Sequence, residues 1–199
     1  MLFRVIRYLI HFSGVATLLW LIYAVNFNFA VFGADPIKEI IHFLGYTALI
    51  FFLVLFSFRM IVQLTHQNIL LPLHRSLGLW GIFWLTLHIL SYLGLELGFD
   101  TKLFFNEIFT RTYLQIGLLS GLIFSLVATS SIPIIKRRLK KHWFQLHQFA
   151  LLAVILATLH YFLSLKAYNF DSRLFLGLVA LFALFKFFPK GQFKKSPKR

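Results

Sequence analysis

Along the 199 residues, apolar stretches of about twenty residues alternate with short polar or charged connections. Six stretches stand out, at 7–25, 43–62, 76–97, 112–133, 147–165 and 172–188. Each is near the roughly 20 residues that a helix needs to cross a bilayer. In lipid, backbone polar groups must be satisfied within the segment itself. The pattern therefore predicts an all-α fold, an integral membrane six-helix bundle. No repeat with a period of 20–50 residues is apparent, and no connection is long enough for a second domain. Residues 1–188 read as one transmembrane domain and residues 189–199 as a basic tail.

Composition agrees with lipid surroundings. Hydrophobic residues make up 59% of the chain and charged residues 13%, against about 25% charged in soluble domains. The formal charge of +14 does not call for nucleic acid, because the basic residues sit between apolar spans. With the N-terminus in the cytoplasm, fifteen of the 20 basic residues and none of the six acids fall on the cytoplasmic side. Both termini are then cytoplasmic. Arg4 and Arg7 precede an apolar run with no evident small-residue cleavage site, which reads as a retained signal-anchor helix. The absence of cysteine excludes disulfides, iron–sulfur clusters, covalent haem attachment and thiol catalysis.

Histidines carry the candidate chemistry. His74 and His88 lie fourteen residues apart in span 3, and His147 and His160 thirteen apart in span 5. Each interval covers roughly 20 Å of helix. The two spans run in the same direction, so His74 is level with His147 near the cytoplasmic side and His88 with His160 nearer the outer face. Two facing imidazole pairs at two depths are what bis-histidine ligation of b-type haem requires. A lone membrane histidine is as readily an interhelical hydrogen-bond donor, but four in register are harder to read as structural.

Helical phase supports span 3 better than span 5. Fourteen residues leave His74 and His88 about 40° apart around the helix, on one face. Thirteen leave His147 and His160 about 140° apart, so span 5 needs a local distortion, a π-bulge, or reach from different sides. His142, eighteen residues before His160, keeps better phase but sits at the membrane edge. Phase does not separate His142 from His147, whereas axial distance favours His147. His11, His42 and His66 read as structural, although His42 at the outer start of span 2 is also placed to cap, to bind a propionate or to touch a partner. Arg75 beside His74 is a candidate for a haem propionate. The cluster Lys136 to Lys141 reads first as a topology signal beside anionic lipid, and second as a holder of propionates or a flavin phosphate. Gly117 and Gly121 form a small-residue pair suited to close packing within the bundle. There is no P-loop, no dinucleotide fingerprint and no carboxylate pair within a span.

Several stretches together carry a family resemblance: Gly33-Ala34-Asp35-Pro36, Leu77-Gly78-Leu79-Trp80, Leu87-His88-Ile89-Leu90-Ser91-Tyr92, and Trp143-Phe144-Gln145-Leu146-His147 with His160-Tyr161. Over nearly its full length the chain resembles the MsrQ (YedZ) family, within the ferric-reductase-like transmembrane group. The resemblance implies b-type haem, one or two per chain, with FMN and electrons from the quinone pool in the bacterial inner membrane. It also implies a periplasmic molybdopterin-containing methionine sulfoxide reductase subunit as partner, so that this chain is the electron-transfer subunit and not the sulfoxide-reducing one. The family's haem-ligand positions fall on His88, His147 and His160, and His74 supplies a fourth imidazole.

The expected path enters near the cytoplasm from quinol or reduced flavin. It passes haem at His74/His147 and then at His88/His160, and leaves at the outer face. Asp35, Glu39, Glu96, Asp100 and Glu107 are expected to form part of a docking rim. A stand-alone ferric or oxygen reductase is the alternative within redox chemistry. A histidine-relay transporter or proton channel is the alternative outside it. The 199 residues contain no dehydrogenase domain, which disfavours the first.

Overall fold

A computed structural model describes residues 2–165, 167 and 169–187. The basic tail expected over 189–199 lies outside them. Nine α-helices and no strand occur among the described residues: α1 (Leu2–Phe27), α2 (Pro36–Thr65), α3 (Leu73–Ser91), α4 (Thr101–Thr110), α5 (Thr112–Ser130), α6 (Pro133–Leu139), α7 (Lys141–Gln148), α8 (Ala150–Ser164) and α9 (Phe170–Phe187). Five segments are long and apolar enough to cross a membrane, namely Phe3–Phe27, Pro36–Thr65, Leu73–Glu96, Thr112–Ser130 and Lys141–Ser164. These are the first five predicted spans. The sixth forms α9, whose 18 residues include Asp171, Arg173 and Lys186.

Local chemistry sets the helix starts. Asp35 caps α2, its carboxylate accepting from the Lys38 N–H at 3.4 Å, with Pro36 in the first turn. Asp100 caps α4 by accepting from the Leu103 N–H at 3.0 Å. Pro133 opens α6. The α4 helix was not foreseen: it is a short helix in the outer connection between the third and fourth spans, closed by Arg111.

The predicted distortion in span 5 is present. The helix is interrupted at Phe149, between α7 and α8. There the Phe149 N–H bonds the Leu146 carbonyl at 3.1 Å, three residues back instead of four. Span 3 is also irregular: after Ser91 it widens into a π-helical turn, Tyr92–Glu96, where the Leu97 N–H reaches the Tyr92 carbonyl at 3.2 Å.

The α2 helix is the hub. Half of its apolar window is buried, against 17–22% for the other four spans, because it packs on α3 at one face and on α8 and α9 at another. One core cluster joins α1, α2 and α3 around Leu44, Ala48, Leu73, Leu77 and Trp84. A second joins α2 to α5, α8 and α9 around Phe52, Phe124, Ala153, Val154 and Phe175. The Tyr46 hydroxyl of α2 donates to Asp171 Oδ2 of α9 at 3.1 Å and fastens the outer end of the last helix. Lipid tails are as apolar as leucine, so these helices are held by close packing and interhelical hydrogen bonds rather than by escape from water.

Trp84 is fully buried. Trp84→Ala is expected to lower stability by about 3–5 kcal/mol, the cost of truncating a large packed aromatic. Thermal unfolding of the purified protein in detergent measures it.

Candidate functional site

The α3 and α8 helices bring His88 and His160 together, with ring centroids 6.3 Å apart and planes at 64°. Each ring is anchored from behind by a different helix. His88 Nδ1 lies 3.0 Å from the Ile41 carbonyl of α2, and His160 Nδ1 lies 2.7 Å from the Tyr113 carbonyl of α5. A carbonyl only accepts, so both Nδ1 atoms carry the hydrogen. In the neutral ring Nε2 is then a lone-pair donor, and neither Nε2 makes a hydrogen bond among the described residues.

Both rings line one cavity of about 380 Å³, within the range of ligand clefts. Its deep walls are apolar and include Leu49, Phe52, Leu85, Ile89 and Phe124. Its outer part carries Lys38, His42, Glu96, Glu107, Arg111 and Tyr113. The α4 helix lies over this part and contributes Phe104, Glu107 and Ile108. Arg111 pairs with Glu107, Nε to Oε2 at 2.6 Å and Nη2 to Oε1 at 3.0 Å, and donates through Nη1 to the Tyr113 hydroxyl at 3.2 Å. The Tyr113 hydrogen bond, with the Glu107 charge beside it, raises the Arg111 pKa, so the guanidinium stays charged.

A metal–imidazole bond of about 2.0 Å and roughly 1.1 Å from nitrogen to ring centre put two axial ligands' centroids about 6.2 Å apart. The observed 6.3 Å matches that spacing. No group of three or more histidine or acidic side chains able to hold a metal occurs among the described residues. The site thus offers two imidazoles in a largely apolar cavity, a donor set that would suit an iron whose remaining ligands come from a macrocycle.

The inner histidines are arranged differently. His74 Nδ1 donates to the Leu71 carbonyl at 2.9 Å, its ring edge meets Phe58 at 5.3 Å, and its Nε2 is buried without a partner. His147 Nδ1 donates to the Trp143 carbonyl at 3.1 Å, its Nε2 lies 3.2 Å from Ser131 Oγ, and its ring is 4.0 Å from Trp143. No hydrogen bond or ring contact joins His74 to His147 among the described residues. The Arg59 charge acts on both. Arg75 is exposed and does not line the cavity. His142 bonds Gln145 Oε1 at 2.8 Å and takes no part in the site.

The remaining candidates are placed as follows in the structure. His42, read mainly as structural, lines the cavity together with His88 and His160. His11 is structural, accepting from Trp80 Nε1 at 3.2 Å, and His66 closes α2 in a left-handed turn. Three of the acids assigned to a docking rim have local partners: Asp35 and Asp100 cap helices and Glu107 pairs with Arg111. Arg111, Tyr113 and the carbonyl of Ile41 were not singled out. A carbonyl has no sequence signature, and Arg111 reads there as an ordinary outer-loop charge.

Residues 44–158 match the family of ferric reductase like transmembrane components. The protein-methionine-sulfoxide reductase heme-binding subunit MsrQ of Pasteurella multocida (strain Pm70) is 42% identical over 177 residues, which are 89% of this chain and 85% of that protein. No solved structure matches the chain significantly. A family match across more than half of the residues, together with that identity over most of both chains, shows that the chain belongs to the MsrQ family within the ferric-reductase-like transmembrane proteins.

Proposed function

We propose that this chain is the haem-carrying membrane subunit of a methionine sulfoxide reductase system, moving electrons across the bilayer to a reductase partner at the outer face. The observation that carries the reading is the pair His88 and His160, with ring centroids 6.3 Å apart, Nδ1 of each against a backbone carbonyl, and Nε2 of each without a hydrogen bond among the described residues. The name of the Pasteurella relative supports the same cofactor and system.

In this reading His88 and His160 hold one b-type haem within the cavity. When bound, its iron supplies a reversible one-electron couple. The protein supplies the rest. The carbonyls of Ile41 and Tyr113 fix the tautomer and orientation of the two rings. The apolar walls exclude water. Lys38 and Arg111 offer positive charge at the outer end, with the His42 imidazole as a further hydrogen-bonding group, where carboxylate side groups of a macrocycle would need them. His74, His147 and Arg75 are the candidate residues of a second, inner site for haem or FMN. Quinol is the proposed electron source and a molybdopterin-containing periplasmic subunit the proposed acceptor. In this reading both termini lie in the cytoplasm of a bacterial inner membrane, with the α4 segment outside.

Three outcomes are expected. His88→Ala and His160→Ala each abolish the outer haem and all electron delivery, measured as haem-to-protein ratio and reduced-minus-oxidised spectra in detergent; wild-type haem content in either would refute the assignment. His74→Ala removes one haem equivalent if the inner site holds haem and leaves the spectrum unchanged if the chain carries one. An alkaline phosphatase reporter fused after Asp100 is active, and one fused after Arg138 is inactive; the reverse pattern would invert the proposed topology.

A further inference from the structure

Two features of the outer site occur twice with the same numbering offset. His88 reaches the carbonyl of Ile41, and the residue one helical turn after that carbonyl is Gly45. His160 reaches the carbonyl of Tyr113, and the residue one turn after it is Gly117. Each histidine is 47 residues from its carbonyl, and the two sets are displaced by 72 residues. Around them the sequence repeats as Thr86-Leu87-His88 and Thr158-Leu159-His160. At the same offset, Phe52 stacks on Phe124 with centroids 3.9 Å apart and planes at 11°. Like residues meeting like, Phe52 with Phe124 and His88 with His160, is the mark of a local two-fold axis. The period of 72 exceeds the 20–50-residue repeats sought in the sequence.

The glycines have a steric reason in both copies. A Cβ at Gly45 would lie 2.9 Å from Cε1 and 3.0 Å from Nδ1 of His88. A Cβ at Gly117 would lie 2.7 Å from Nδ1 and 2.9 Å from Cε1 of His160. Ordinary carbon contacts need about 3.5–4.0 Å. Each ring therefore sits in the space that a side chain would occupy, and only there does its Nδ1 reach the carbonyl one turn earlier.

We infer that Gly45 and Gly117 are the positioning residues of this site, each seating one imidazole against the other. The inference rests on the reading of His88 and His160 as haem ligands. A side chain at either glycine pushes one ring off its carbonyl, freeing the tautomer and moving Nε2 off the common axis. Loss of an orienting partner behind a metal-bound histidine typically lowers affinity by about 10–100-fold.

The test uses the full chain in detergent, with Gly45→Ala, Gly117→Ala and, as control, Gly177→Ala in α9, where an added Cβ meets nothing within 4 Å. The two site variants are expected to lose haem on the order of tenfold or more, and the haem they retain to turn from low-spin to high-spin in the ferric electron paramagnetic resonance spectrum. The control keeps wild-type occupancy and spectrum. Wild-type occupancy and low-spin signature in both site variants would overturn the inference. If the variants do not fold, nitrogen-15 NMR of histidine-labelled, reduced wild-type protein decides: Nδ1-protonated rings at His88 and His160 support the seating, and Nε2-protonated rings overturn it. A wild-type protein that takes up no haem would instead refute the proposed function, and the tautomers would still decide the seating.

Discussion

Burying polar groups where no water can reach them governs this molecule. Inside lipid an imidazole needs a partner for its N–H, and every backbone carbonyl of a spanning helix is already engaged one turn along. The structure meets both demands by giving two carbonyls, those of Ile41 and Tyr113, a second hydrogen from His88 and His160. A carbonyl oxygen has two lone pairs, so the helical bond survives. Everything else at the site follows from these two bonds. They select the tautomer, leave Nε2 free, and require helix α2 to pack against α3 and α5 against α8.

Electrostatics is divided along the membrane normal. The apolar depth of the cavity carries the two neutral rings, while the charges Lys38, Glu107 and Arg111 collect at the outer end under α4. Arg111 is neutralised in part by Glu107 and steadied by Tyr113, a clustering that keeps charge at the wet rim and out of the slot. The inner half is built on another plan, with Arg59 acting on both His74 and His147, and Lys136 lying 4.2 Å over the Trp143 ring.

Hydropathy made five spans and the outer histidine pair legible, because a spanning helix needs an unbroken apolar run and a buried histidine interrupts it visibly. The mismatch of phase between His147 and His160 left a distortion, a π-bulge or reach from different sides as alternatives, and the helix is broken at Phe149. The interruption also explains why the inner pair was less legible than the outer one: beyond Phe149 the register shifts, and His147 turns to Trp143 and Ser131. The sixth stretch was legible too and forms α9, whose Asp171, Arg173 and Lys186 set it apart from the five more apolar spans. The α4 helix was hidden because ten residues in a charged loop leave little periodicity to read. Gly117 was read through its pairing with Gly121 as a packing device, whereas its closest neighbour is the His160 ring. Ligand geometry of this kind depends on carbonyls and on missing side chains, and neither shows in a pattern of residue types.

The stack of Phe52 on Phe124 has a consequence for the membrane as a capacitor. Both rings are buried and line the cavity. Each lies seven residues inward of the glycine beside a histidine, about 10 Å along the helix. A thread of water continuing this cavity through the bundle would let protons leak across the bilayer. Two aromatic faces pressed together leave no room for that thread. Such an apolar surface opposes a proton far more than it opposes a lighter carrier of charge.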